Sequence, residues 1–310
     1  MCNIKQKIPM VVIFGPTASG KSDLAVKVAR ELNGEVVTAD SMQVYKRMNI
    51  GTAKPTIEEM QGIKHHMIDV AEPTENYSLA RYIKEAECVI QKVWSNGKIP
   101  VLAGGTGLYI DTLINGTVLS ETDCDQEYRK SLYDLAQEKG NDYVYDLLKK
   151  VDLQSAESIH PNNLKRVIRA LEFYKTSGIR QSEHIKKAEM VNSPYKVFKF
   201  GTLTERENLY NKINLRVDKM LENGLVNEVD ELRADGIDGK YTSMQAIGYK
   251  EVLEYLNGNI SYEEMSELIK KSTRNYAKRQ ITWFKREQNT TWIDVSDKKI
   301  IEMFKKTMEL

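Results

Sequence analysis

GPTASGKS, Gly15 to Ser22, follows the apolar run MVVIF and leads into the amphipathic stretch KSDLAVKVARELN. The spacing G-x-x-x-x-G-K-S between a strand and a helix is that of a phosphate loop, and no other feature limits the fold as strongly. Its glycines let the backbone wrap tightly, so successive N–H groups point inward at an anion. The start of the following helix adds its positive end. Lys21 brings a point charge to the terminal phosphates, and the Ser22 hydroxyl suits Mg²⁺. Gly15, Pro16, Thr17, Ala18, Ser19, Gly20, Lys21 and Ser22 are therefore the expected diphosphate-binding residues. Such a loop recognises a diphosphate; it does not by itself specify a nucleotide.

The surrounding pattern fits a layered α/β fold. PMVVIF reads as a buried parallel strand, and the helix after it carries Leu24, Val28 and Leu32 on one face with Gly34 as its stop. EVVTAD, KIPVLAGGTG, YKVFKFGTL and TTWIDV read as further strands, and SLARYIKEAECVIQKVWSNG as a long helix. Alternating strands and helices predict a parallel sheet with helices on both faces. From about Thr122 to Val191 the text is charged and helical without a strand-like apolar run. The expected division is a phosphate-loop catalytic core, residues 1–121 with 192–310, and a helical insertion domain, residues 122–191. Two more helical stretches are expected, one between Glu205 and Asp235 and one from Tyr262 to Arg286.

Composition excludes several classes. With 310 residues and 41% apolar content the chain can bury a sizeable core. A formal net charge of +1 rules out a global polycation but leaves room for a local basic patch. Cys2, Cys88 and Cys124 are odd in number and form no CxxC pair, which speaks for a reducing compartment and against disulfides or a structural zinc site. No signal peptide is visible, and the apolar run after Pro9 is too short to span a membrane. A cytoplasmic protein without membrane attachment is the expectation. His65 and His66 are adjacent, a poor spacing for metal ligands, and His160 and His184 stand alone; all four read as structural or solvated.

Phosphate-loop NTPases usually hold Mg²⁺ with a second acid at the end of a buried strand. KIPVLAGGTG ends instead in glycines and Thr106. An adenine clamp and a water-positioning glutamine are also missing from view. Asp40 ends the second strand, and the carboxyl ends of parallel strands line the ligand crevice. A carboxylate there could ligate metal, act as a general base or cap a helix.

GPTASGKS, ADSMQVYKRMNIGTAKP, GGTGLY and RQITWF stand in this order along nearly the whole chain. Together they resemble the tRNA dimethylallyltransferases, also called tRNA isopentenyltransferases, in their bacterial form. The resemblance implies transfer of a dimethylallyl group from dimethylallyl diphosphate to the N6 amine of the adenosine on the 3′ side of the anticodon. The loop would then hold the prenyl donor's diphosphate, with Mg²⁺, and pyrophosphate would leave. The family's general base matches Asp40. Its arginine for the departing charge matches Arg216, and Thr106 matches a residue that contacts the reacting adenosine. Lys21 joins them as a catalytic residue. Asp40, Ser41, Met42 and Gln43 fall in the stretch that meets the substrate tRNA. The base would be flipped out of the anticodon stack into a pocket, and the family habit implies a monomer.

A basic surface fits that partner, the tRNA anticodon stem-loop. LIKKSTRNYAKRQITWFKR, Leu268 to Arg286, holds seven basic residues and no acidic one. Lys271, Arg274, Lys278 and Lys285 fall near one helical face, with Tyr276, Trp283 and Phe284 between them. Arg274, Lys278, Arg279 and Gln280 are its expected tRNA contacts. HPNNLKRVIRALE, with Lys165, Arg166 and Arg169, resembles a second tRNA-touching segment whose buried face Ala170 and Leu171 mark. Arg129 falls at a further tRNA-contacting position of the family. Two other classes keep the phosphate loop but change the reaction: a small-molecule or nucleoside kinase, and an RNA-binding NTPase. The first predicts ATP consumption indifferent to tRNA, the second ATP hydrolysis stimulated by RNA.

Overall fold

The computed structural model describes residues 7–117, 125–189, 192–295, 297 and 299–308. Cys2, Cys124 and the expected domain boundaries at 121/122 and 191/192 lie outside the described residues or at their edge. The chain runs β1 (Ile8–Phe14), α1 (Lys21–Glu31), β2 (Gly34–Ala39), α2 (Ile57–Met60), β3 (His65–His66), α3 (Leu79–Ser95), β4 (Ile99–Gly104) and α4 (Gly107–Ile114). Five helices follow: α5 (Gln126–Lys139), α6 (Asn141–Val151), α7 (Leu153–Ser158), α8 (Leu164–Ser177) and α9 (Gln181–Glu189). The rest comprises β5 (Tyr195–Leu203), α10 (Arg206–Glu222), α11 (Leu225–Ala234), α12 (Tyr249–Leu256), α13 (Tyr262–Phe284), β6 (Thr290–Asp294) and α14 (Ile300–Met308).

The chain forms two compact units, Met1–Ile114 with Pro194–Leu310, and Asn115–Ser193. In the first, six strands pair in the order β3-β2-β4-β1-β5-β6, all parallel. The central strand β1 is buried on both faces, which is why it reads as a continuous apolar run. Its alternate residues serve opposite layers. Val11 and Ile13 join Leu24 and Val28 of α1 and Phe304 of α14 in one core. Phe14 turns the other way and stacks on Phe284 of α13 at 4.7 Å between ring centroids. On that face the Tyr82 hydroxyl of α3 also donates to the Thr38 carbonyl of β2. Helices therefore cover both faces, as the strand–helix alternation predicts.

The local details depart from the sequence reading in three places. Gly34 is the first residue of β2, not the stop of α1; a left-handed Asn33, φ 49°, turns the chain before it. A Cβ on Gly34 would meet the Ile99 carbonyl of β4, so the glycine is needed for strand contact. The stretch between Glu205 and Asp235 is two helices, broken at Asn223 and a left-handed Gly224, φ 94°. Finally, His65 and His66 form the edge strand β3, too short for any periodicity to reveal.

The second unit is a helical cluster around Leu132, Val144, Leu148, Val167, Ile168 and Leu171. Ala170 and Leu171 face this core as expected. Buried Asp152, at the start of α7, accepts hydrogen bonds from the backbone N–H and hydroxyl of Ser155 and of Ser182, tying α7 to α9.

Candidate active site

The phosphate loop leaves β1 and enters α1 through residues that need unusual backbone. Ala18 and Gly20 are both left-handed, φ 62° and 82°. Gly15 has no room for a Cβ, because the Thr202 hydroxyl of β5 occupies that space. Among the described residues no hydrogen bond takes the N–H of Ala18, Ser19, Gly20, Lys21 or Ser22. This run of unpaired donors at a helix start is a site for an anion. The loop residues differ in what they can offer. Pro16 has no N–H, and its carbonyl accepts from the Lys21 ammonium at 3.2 Å. Thr17 N–H is already taken by the Gln280 Oε1 at 2.9 Å. The Ser19 hydroxyl is fully buried and bonded to Thr202 at 2.8 Å, so only its backbone remains available.

The loop opens onto a cavity of about 380 Å³, lined on the loop side by Thr17, Lys21 and Ser22. Asp40, Ser41, Met42 and Gln43 join it from the end of β2, Arg216 from α10, and Tyr276, Arg279 and Gln280 from α13. All of these belong to the first unit. The Arg216 guanidinium donates to the Thr17 hydroxyl at 3.3 Å. Burial lowers the Lys21 ammonium to about 8; Arg216 adds to this and Asp40 opposes it. Burial likewise lowers Arg216, against the pull of Asp40 and Glu59. Two desolvated cations beside unpaired N–H groups make this end of the cavity selective for a multiply charged anion.

Asp40 faces this cationic cluster. Its Oδ1 accepts the N–H of Met42 at 2.9 Å and, more weakly, that of Gln43 at 3.4 Å. The carboxylate thus caps its own loop and is oriented by it. Among the described residues no hydrogen bond reaches Oδ2. Thr106 closes the turn beside it: its hydroxyl accepts the Ser41 N–H at 3.1 Å, and its N–H donates to the Ala39 carbonyl at 3.1 Å. Its carbonyl accepts from Tyr109 and Ile110, so Thr106 also begins α4. The capping and functional readings of Asp40 and Thr106 are therefore compatible.

Gln280 ties the site together. It is 5% exposed, takes Thr17 N–H on its oxygen and donates to the Gly105 carbonyl at 2.8 Å. Both amide ends are occupied inside the protein, so Gln280 is a strut between the phosphate loop and the glycine turn, not a free contact for RNA. A Cβ on Gly105 would collide with that amide, and one on Gly107 with the Trp283 indole. Trp283 donates to Asp111 of α4 at 2.7 Å, while Phe284 is buried. Burial pushes the Asp111 carboxyl up to about 6, with the Glu287 carboxylate adding to it. The cavity-lining Tyr276 phenol is pushed up to about 12, chiefly by burial and then by the charge of Asp40.

Of the other expected contacts on α13, Lys278 and Arg279 are exposed, and Arg279 also lines the cavity. Arg274 is half-buried and donates to Asn214 at 2.6 Å. In the second unit, Lys165 and Arg166 are exposed on α8. Arg129 makes a two-point contact with fully buried Glu172, at 2.8 and 2.9 Å, and Arg169 adds a bond at 2.8 Å. Burial opposes charge on Glu172, but these two arginines hold its carboxyl below the ordinary range. Sequence reasoning missed His65, which lines the cavity and is lowered by burial. It also missed Gln245 and Lys250 on the cavity wall. Among the described residues no cluster of three His, Cys, Asp or Glu side chains could hold a metal, and no helix is long and apolar enough to cross a membrane.

A phosphate loop at the carboxyl end of a central parallel strand, sharing one cavity with an aspartate from the end of β2, the next strand but one, defines a phosphate-loop α/β protein. The family described as IPP transferase matches residues 43–287, and the chain belongs to it. A tRNA dimethylallyltransferase of Caldanaerobacter subterraneus subsp. tengcongensis is 51% identical over 297 residues, covering 95% of this chain and 94% of the relative. The crystal structure of a full-length tRNA isopentenylpyrophosphate transferase from Bacillus halodurans is 42% identical, with a TM-score of 0.73, over 98% of this chain and 96% of that one. A eukaryotic dimethylallyltransferase, captured acting on tRNA, is 31% identical with a TM-score of 0.80, over 97% of this chain and 77% of that one.

Proposed function

We propose that this chain transfers a dimethylallyl group from dimethylallyl diphosphate to the N6 amine of the adenosine on the 3′ side of the tRNA anticodon, releasing pyrophosphate. The observation that carries this reading is the run of unpaired N–H groups with Lys21 and Arg216, set across one cavity from Asp40. Relatives over nearly its whole length that are named for prenyl transfer to tRNA support it.

In this reading the C1–O bond of the donor breaks, and its electron pair leaves on the pyrophosphate oxygen. The loop N–H groups, Lys21 and Arg216 stabilise that charge where it develops. The N6 lone pair forms the new N–C bond, and the N6 proton passes to the Asp40 carboxylate. Thr106 and Gln43 lie beside the incoming base; Ser41 and Met42 carry the backbone that orients Asp40. The Ser22 hydroxyl is the oxygen donor that the loop offers a metal ion. It fits Mg²⁺, which takes few protein ligands and is held mainly by substrate phosphates. When bound, the ion would add positive charge beside the departing pyrophosphate. In the first unit, Arg279, Lys278 and Arg274 on α13 meet the tRNA, with Gln280 bracing that helix from behind. In the second unit, exposed Lys165 and Arg166 on α8 meet it, while Arg129 and Arg169 are paired with Glu172.

The test is a transfer assay with Mg²⁺ and unmodified tRNA, using labelled dimethylallyl diphosphate in one reaction and labelled ATP in another. Label moves from the prenyl donor to tRNA, and ATP is untouched. ATP consumption without prenyl transfer would mean the loop holds a nucleotide.

A further inference from the structure

One carboxylate outside the reaction scheme holds a wall of the cavity in place. Glu228 stands in the first turn of α11. Its Oε2 accepts the N–H groups of Asn49 and Ile50, both at 2.8 Å. Its Oε1 accepts Gly51 N–H at 3.1 Å and the Tyr249 hydroxyl at 2.6 Å. Three consecutive backbone donors converge on one acceptor only when the chain curls around it, so Glu228 fixes the path of residues 49–51. The buried Tyr249 ring packs where a Cβ of Gly51 would be, which closes the same arrangement sterically.

The consequence reaches the cavity. Gly51, Thr52 and Ala53 line it. The carbonyls of Thr52 and Ala53 accept from Gln43 Nε2 at 3.1 and 3.2 Å. Those two bonds set which way the Gln43 amide faces and leave its oxygen as the group it can offer a substrate. The same loop has an inner brace: the Lys54 ammonium bonds the Tyr45 carbonyl, Asn49 Oδ1 and Asp69 Oδ1 at 2.8, 2.9 and 2.6 Å. Loss of Glu228 therefore displaces the loop without leaving it unsupported.

We infer that Glu228, with Tyr249, is a positioning residue for the acceptor base: through the N–H groups of residues 49–51 it sets the Thr52 and Ala53 carbonyls, and through them the Gln43 side chain. This rests on the proposed reading that Gln43 meets the tRNA substrate. The donor's diphosphate lies with other residues, so the effect is confined to the acceptor.

The experiment compares Glu228→Gln and Tyr249→Phe with the wild type in steady-state transfer, in pyrophosphate binding and in amide exchange across residues 48–54. A glutamine offers one oxygen in place of two, and its amide nitrogen faces donors it cannot accept. For Glu228→Gln, kcat/KM for tRNA falls roughly tenfold or more while pyrophosphate affinity holds, and exchange at residues 49–51 quickens. Tyr249→Phe keeps the ring on Gly51, loses one of four donors and shifts the same quantities less. Wild-type kinetics in a variant whose loop exchanges faster would overturn the proposal. So would a parallel loss of tRNA and pyrophosphate parameters, which marks general damage to the fold. If Glu228→Gln does not fold, Tyr249→Phe decides alone by the same criteria. A wild type that transfers no prenyl group fails before any variant is compared, and takes this inference with it.

Discussion

Arg216 and Arg129 both sit in charged helices and look alike in sequence, yet their surroundings differ in kind. Arg129 meets Glu172 at two points and shares that carboxylate with Arg169. Its charge is already answered by the protein. Arg216 has Thr17 as its hydrogen-bond partner and Lys21 as a neighbouring cation, with Asp40 an opposing charge felt by both. Burying cations without a full complement of anions is costly. A fold keeps such an arrangement where a ligand completes it. The comparison separates a binding charge from a structural one by what surrounds it, not by residue type.

The largest expected effect sharpens this contrast at the acid facing the cations. Asp40→Asn keeps an oxygen for the Met42 and Gln43 N–H groups and so preserves the loop. It removes the proton acceptor. Transfer falls by about 10²–10⁴-fold, the span typical of a lost general base, while tRNA affinity stays within twofold or so of wild type because binding draws on the basic helices. Single-turnover transfer and filter binding read the two quantities separately. Near-normal turnover would remove Asp40 from its role.

A smaller effect tests whether the cationic cluster is truly held ready for an anion. Burial holds the Lys21 ammonium well below the ordinary lysine range, down to about 8. A bound diphosphate favours the charged form and raises that value. Below pH 8 the ammonium is already protonated and affinity is level. Above pH 8 binding must take up a proton, so pyrophosphate affinity drops by about tenfold per pH unit until the bound-state value is reached. Calorimetry from pH 7 to 9.5 checks this. Lys21→Met flattens the profile and weakens binding throughout; an unchanged slope in that variant would assign the titration elsewhere.

What the sequence revealed follows the same division. The phosphate loop was legible because it depends on backbone geometry, which Gly15, Gly20 and the flanking strand–helix pattern encode locally. The apolar runs of β1, β2 and β4 were legible because strands buried on both faces need nothing else. The position of Asp40 in the crevice followed from the end of β2, whereas the roles of Asp40 and Thr106 came only from the family resemblance. Gln280 was misjudged because its partners, Thr17 and Gly105, lie 263 and 175 residues away, and a polar residue in a basic helix gives no sign of burial. Glu172 is 43 residues from Arg129, so nothing local showed that this arginine was taken. His65 was passed over because a two-residue edge strand has no pattern. Loop geometry encoded by local spacing was readable, and support carried by long-range side-chain contacts was not.

The smallest effects break the comparison within the second unit, where exposed and paired cations share one helix. Lys165 and Arg166 are exposed on α8, whereas Arg169, three residues on, is bonded to Glu172. If the first pair touches phosphates, Lys165→Ala with Arg166→Ala weakens tRNA binding and lowers the salt slope of log Kd by about two, since each phosphate contact releases roughly one counterion. Turnover at saturating tRNA is unchanged. Arg129→Ala acts through a different quantity. It strips a half-exposed partner from a fully buried carboxylate, and Arg169 remains to hold Glu172. Thermal unfolding should show a loss of roughly 1–3 kcal/mol, tempered by solvent at the exposed end, with a salt slope close to wild type. Were Arg129→Ala instead to change the slope as much as one of the exposed pair, its guanidinium would serve carboxylate and phosphate at once. Pairing inside the protein would then no longer distinguish a structural arginine from a binding one, and the contrast with Arg216 would rest on burial alone.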